Sequence, residues 1–170
     1  ICLFFGVLTI SSIGTFRESI KEGLQTEASE ILGGDISLTL AYRVASSDEL
    51  KEIKSISSSF TEVISFRSMV STIDNGDGYN QALVQVKSVD QNYPLMGKVK
   101  IEPEIRLKEA LKKEGGNYGI LVENNLLERL NLMVGSNLSL GKSVYNIRGT
   151  ISSIPDIGSN GFSLGSKVIL

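Results

Sequence analysis

The chain has 170 residues, with 17 basic and 19 acidic side chains and a net charge of −2. That balance offers no basic block to follow a phosphate backbone, which argues against a nucleic-acid partner. Histidine is absent, which removes the usual general base, the usual zinc ligand and the base of a serine triad. No G-x-S-x-G, Walker loop or H-E-x-x-H is present, and no pair of carboxylates has a spacing suited to acid–base work. A Ser-Lys or two-carboxylate mechanism stays open, but the expectation is no catalytic residue, no metal site and no cofactor in this domain, and not an enzyme; a membrane-tethered hydrolase is the weaker third class. Cys2 is the single cysteine, so no disulfide forms within the chain.

Residues 1–16 (ICLFFGVLTISSIGTF) are apolar and uncharged. A full span needs about 20 apolar residues, so the run reads as the end of a transmembrane helix. A buried core helix is the competing reading. A signal peptide fits poorly, because no basic residue precedes the run. Over residues 17–32, Ile20, Leu24, Ala28 and Ile31 recur every three or four positions, with Arg17, Glu18, Lys21 and Glu22 on the other sides. This predicts an amphipathic stalk helix. Gly33 and Gly34 end it, since glycine takes the left-handed cap geometry.

Residues 35–43 alternate, with Ile36, Leu38, Leu40 and Tyr42 on one side, and predict a half-buried strand. Ser46 and Glu49 have capping-box spacing. Behind them a helix over 47–57 places Leu50, Ile53 and Ile56 on one face. A strand over 63–72, apolar at Ile64, Phe66 and Val70, completes a βαβ-like unit. Residues 74–78 (DNGDG) read as a turn. An EF-hand reading fails there, because the acidic spacing is wrong and no glutamate stands twelve positions on. Residues 80–89 are apolar on parts of both faces and predict a central strand.

Pro94 breaks the pattern and suits an edge or a turn. Val99 and Ile101 alternate with lysines. Residues 105–114 form a weak helix through Leu107 and Leu111, ended by Gly115 and Gly116. A strand over 118–122, a helix over 123–132 with Leu126, Leu127 and Leu130 inward, and a strand through Leu138 and Leu140 follow. A further strand covers 144–154, with a bulge near Gly149. A loop over 156–161 leads to a last strand marked by Phe162, Leu164, Val168 and Leu170.

The order of these features is familiar. Leu32-Gly33-Gly34-Asp35-Ile36 follows the stalk, and Val86–Asp90 leads to Tyr93-Pro94-Leu95-Met96-Gly97. Then come Ile120-Leu121-Val122-Glu123, Leu126-Leu127-Glu128-Arg129-Leu130, Val134-Gly135, and Val144-Tyr145-Asn146-Ile147-Arg148-Gly149. Across nearly the whole chain this resembles the extracytoplasmic core domain of FtsX-like and MacB-like permeases of ABC transporters. Within them it is most similar to the permease type found beside a lysophospholipase-like esterase.

The resemblance implies an α+β fold, with a mixed α/β lobe over 33–93 and an inserted β-rich lobe over 94–170. It implies that the return half of the first lobe lies after Leu170. It also implies a bacterial inner-membrane protein with this domain on the extracytoplasmic side and a cytoplasmic ABC ATPase as partner. A second permease copy, an extracytoplasmic esterase, and lipid, lipoprotein or hydrophobic cargo are the further partners it suggests. The alternative is a scaffolding ectodomain that regulates an extracytoplasmic hydrolase and carries nothing.

Two groups of residues stand out on that reading. Gly33, Gly34 and Asp35 join the stalk to the domain and form a candidate hinge, or else an ordinary helix cap. Tyr93, Pro94, Leu95 and Gly97 form a candidate lobe junction or partner contact, or else a stiff turn around a packed aromatic.

Overall fold

The structure, a computed structural model, describes residues 16, 18–20, 23, 32–73, 80–155 and 165–170. Most of the apolar N-terminal run, most of the expected stalk, the 74–78 turn, the 156–161 loop, and Phe162 and Leu164 lie outside the described residues. The described residues 16, 18–20, 23 and 32 are helical. Among the described residues no helix is long and apolar enough to cross a membrane.

The fold is α+β. In chain order the elements are α1 (Ser47–Ile56), β1 (Val63–Thr72), β2 (Gln81–Val89), β3 (Lys100–Glu102), α2 (Leu107–Leu111), β4 (Lys113–Glu114), β5 (Asn117–Glu123), α3 (Asn124–Leu130), β6 (Asn137–Leu140), β7 (Ser143–Ser153) and β8 (Ser166–Ile169). The eight strands form one mixed sheet. Neighbour pairs run β1–β2, β2–β8, β8–β5, β5–β7, β7–β6 and β6–β1, so the sheet returns on itself as a small barrel. Closure removes the exposed edges that an open sheet would offer along those stretches.

The barrel forms because inward positions recur at every second residue. Val84 and Val86 of β2, Ile120 and Val122 of β5, Ile147 of β7 and Val168 of β8 are fully buried in one cluster. The helix α3 adds Leu126, Leu127 and Leu130 to that cluster. It stops at Asn131, whose φ of 54° is left-handed, and Leu132 N donates to Leu127 O at 2.9 Å. That six-to-one bond satisfies a carbonyl that the helix end would leave open.

A second cluster covers the outside of β5 and β8. Leu121 and Ile169 pack there against Tyr93, Ile101, Ala110 and Ile151. Two close approaches hold this layer. A methyl on Gly119 would stand 1.8 Å from the Ala110 carbonyl oxygen, and one on Gly149 would stand 2.9 Å from the Glu102 oxygen. The bulge expected near Gly149 is present. Ile120 pairs with Ile147 and Leu121 with Gly149, so Arg148 is skipped.

Three expectations need correction. Residues 36–43 form no strand, and Ile36, Leu38, Leu40 and Tyr42 are all exposed. An alternating pattern selects a face, but a strand also needs a neighbour for its backbone groups, and none of the described residues provides one. Gly115 and Gly116, with φ of 59° and 92°, turn the chain between β4 and β5 and do not merely end a helix. The helix before them has five residues, and its fully buried side chain is Ala110.

Candidate functional site

The corner that follows β2 is built around Asp90. Its carboxylate accepts from the Thr61 hydroxyl, from Glu62 N at 3.1 Å, from Asn92 N at 3.0 Å and from Tyr93 N at 3.1 Å. Asn92 Nδ2 donates back to Phe60 O at 3.1 Å. An aspartate at a strand end followed by Gln-Asn readily forms such an Asx turn. Here it also ties the 90–93 turn to the loop that precedes β1. Four donors on one carboxylate fix both loops in a single geometry.

Tyr93 is buried at the centre of this corner. Its hydroxyl accepts from Lys87 Nζ at 3.3 Å, and the same ammonium lies 5.1 Å from the ring centroid. Lys87 is itself buried, on the face of β2 opposite Val84 and Val86. A buried cation is tolerated where polar and π partners replace water. Tyr93–Pro94 is a cis peptide bond, and Gly97 has a φ of 75°. Past the corner lies an open groove of about 610 Å³, lined among others by Phe60, Asn92, Pro94, Leu95 and Lys108.

One residue of the first candidate group, Gly34, lies near one of the second, Leu95. Gly33 has a φ of 76°, as a helix-ending glycine should. Gly34 is buried, and a methyl placed on it would lie 4.0 Å from Leu95 Cδ1. Gly34 thus lies near Leu95 of the Tyr93–Leu95 corner. Asp35, next in the chain, is exposed.

The Lys87 and Asp90 network was not visible as a site in the sequence. The Asp90-Gln-Asn turn signature was the available clue. Lys87 gave none, because a lysine on an outward strand position reads as solvated until a neighbouring loop covers it.

A second ordered corner lies at the start of α1. Ser46 and Glu49 form the expected capping box, with Ser46 N donating to Glu49 Oε2 at 2.8 Å. Arg43 adds two hydrogen bonds of 2.7 Å to the same carboxylate. Those bonds from Arg43, followed by the Ser46 amide, hold the Glu49 carboxyl down at about 2. Among the described residues no group of three His, Cys, Asp or Glu side chains could hold a metal.

No family model matches the chain. Over all 170 residues it is 24% identical to the uncharacterized ABC transporter permease YbbP of Escherichia coli (strain K12), and it spans 20% of that protein's length. Along its whole length it is thus similar to a protein described as an ABC transporter permease. Two solved structures also align. The periplasmic region of MacB from Actinobacillus actinomycetemcomitans aligns over 70% of this chain and 62% of that one, at 12% identity and a TM-score of 0.42. A domain of a candidate permease protein from Porphyromonas gingivalis aligns over 62% and 49%, at 16% identity and a TM-score of 0.38.

Proposed function

We propose that this chain is the extracytoplasmic domain of an inner-membrane ABC transporter permease. In this reading it couples ATP hydrolysis by a separate cytoplasmic subunit to movement of lipids, lipoproteins or other hydrophobic compounds at the membrane surface. The observation that carries the proposal is the similarity to a permease along the full 170 residues. The absence of histidine from the whole sequence agrees with a role other than catalysis.

The coupling element is the segment 33–35. Helical residues end at Leu32, and Gly34 lies near Leu95. Displacement of the helix end is then felt at a corner that Asp90 and Tyr93 hold rigid. A stiff receiver matters, because a loose loop would absorb the displacement.

The test uses the full-length permease with its ATPase in proteoliposomes. ATP hydrolysis and transfer of a fluorescent phospholipid or a lipoprotein to an acceptor are measured together. Deleting Gly33 and Gly34 is expected to leave hydrolysis within about twofold while transfer falls at least about tenfold. Unchanged transfer would sink the coupling role. No cargo transfer in the unaltered protein, with an ATP-dependent rise in the activity of a co-purifying esterase, would replace this proposal with the regulatory one.

A further inference from the structure

The groove beside the Asp90 corner is lined by residues 58–60 of the loop before β1, residues 91–95 of the loop after β2, and Lys108 of α2. Its volume of about 610 Å³ lies within the range of small-molecule sites. The lining is mixed. Phe60, Pro94 and Leu95 supply half-buried apolar surface. Ser58 and Ser59 supply hydroxyls, and Lys108 supplies an ammonium. The hydrogen bonds of Asp90 already hold both loops in place, so binding there orders little that is not already fixed.

Charge sorts among the occupants. No acidic side chain is among the described residues that line the groove. Lys108 is exposed and forms no ion pair with another described residue. The Lys54 ammonium, from the last turn of α1, lies 5.1 Å from the Phe60 ring centroid. The Lys87 ammonium lies 5.1 Å from the Tyr93 ring centroid. Both rings thus already hold a cation from within the chain, which is the role a quaternary ammonium headgroup would take. No lining residue belongs to a strand, so the groove offers no ladder for an extended peptide to join. A compact anion with an apolar stem fits what is left.

We propose that this groove binds the phosphate headgroup of an anionic phospholipid. Lys108 and Lys54 oppose its charge, and Ser58 and Ser59 donate to its oxygens. The first methylenes below the headgroup rest on Phe60, Pro94 and Leu95. Lysine serves a phosphate as a point charge, and the hydroxyls add direction. Gly34 lies near Leu95, so the groove sits beside the segment 33–35. The choice of a lipid as the source of the phosphate rests on the lipid-handling reading proposed above.

Photolabelling of the full-length permease in phosphatidylcholine nanodiscs, without ATP, tests the proposal. The probe is lysophosphatidylglycerol with a diazirine beside its headgroup, and peptide mass spectrometry maps the label. Label within residues 58–60 and 91–95 is expected, at least about tenfold above that from the matching lysophosphatidylcholine probe. Lys54→Glu with Lys108→Glu should lower it at least about tenfold. Arg129→Glu with Lys142→Glu makes the same change in net charge outside the lining and should lower it less than about twofold. All four side chains are exposed, so these substitutions leave the core intact. Equal labelling by the two lipids, label elsewhere, or equal losses in the two double variants would overturn the proposal. Full protection by an equal concentration of inorganic phosphate would assign the groove to the free anion and overturn the lipid assignment. Labelling and transport fail separately. ATP-driven transfer with no label here sinks the groove assignment alone, whereas label with no transfer upholds lipid binding and sinks the transport role.

Discussion

Strand β2 and residues 36–42 carry the same alternating apolar pattern and end in opposite environments. In β2, Ala82, Val84 and Val86 are at most 1% exposed, between β1 on one side and β8 on the other. In the earlier segment Ile36 and Leu38 are 77% and 67% exposed. The difference is not hydrophobicity. The strand β2 has two neighbours and a helix-capped interior behind it, whereas residues 36–42 have neither among the described residues. Alternation states which side chains belong together, and burial follows only when another strand satisfies the backbone beside them.

The largest effect should come where the barrel's outer layer touches backbone to backbone. In Gly119→Ala the new methyl would overlap the Ala110 carbonyl, which stands 1.8 Å from its ideal position. A loss of about 4 kcal/mol or more is expected, beyond the usual range for overpacking. Chemical denaturation measures it. A loss below about 1 kcal/mol would show that α2 yields easily, and that the barrel's outer layer is as loosely held as the N-terminal region.

A matched pair of truncations sharpens the contrast between the two regions. Leu126→Ala removes a fully buried side chain from the barrel cluster and should cost about 3 kcal/mol. Leu38→Ala should shift the global opening of β5, read by hydrogen exchange, by less than about 0.5 kcal/mol. Similar costs for the two would mean that the segment belongs to the same cooperative unit as the barrel.

The smallest effect is expected at the α1 corner and depends on pH. Bonds from Arg43 and the Ser46 amide lower the Glu49 carboxyl from 4.5 to about 2 in the folded chain. A depressed carboxylate contributes its full stabilisation above the unfolded value, and that contribution fades as pH falls through the folded one. Between about pH 4.5 and pH 2 the first turn of α1 should therefore fray, as reported by the Glu49 and Leu50 amide signals. Glu49→Gln should abolish that dependence. Fraying that persists in Glu49→Gln would assign it to another group.

Much of the barrel was legible in the linear pattern. The strands at 63–72, 80–89, 118–122 and 144–154 and the inward face of Leu126, Leu127 and Leu130 were readable because period and side-chain type agree there. Gly135 and Gly141, with φ of 96° and 61°, turn the chain on either side of β6. The candidate site was legible only in pieces. Gly34 and Tyr93-Pro94-Leu95 stood out separately, and the fold brings Gly34 near Leu95 across about sixty residues of chain. Lys87 was hidden, because its burial depends on a loop folding over it.

Residue order alone determined local preference: which segments alternate, where helices are capped, where glycine must turn the chain, and that no histidine chemistry is available. Tertiary structure decided what each apolar face meets. It closed six strands into a ring, brought Gly34 near Leu95, and left residues 36–42 without a strand partner among the described residues. The physical reason is that φ, ψ and side-chain period are properties of neighbours along the chain. Strand pairing and burial depend on distant groups whose meeting must outweigh the entropy of ordering them.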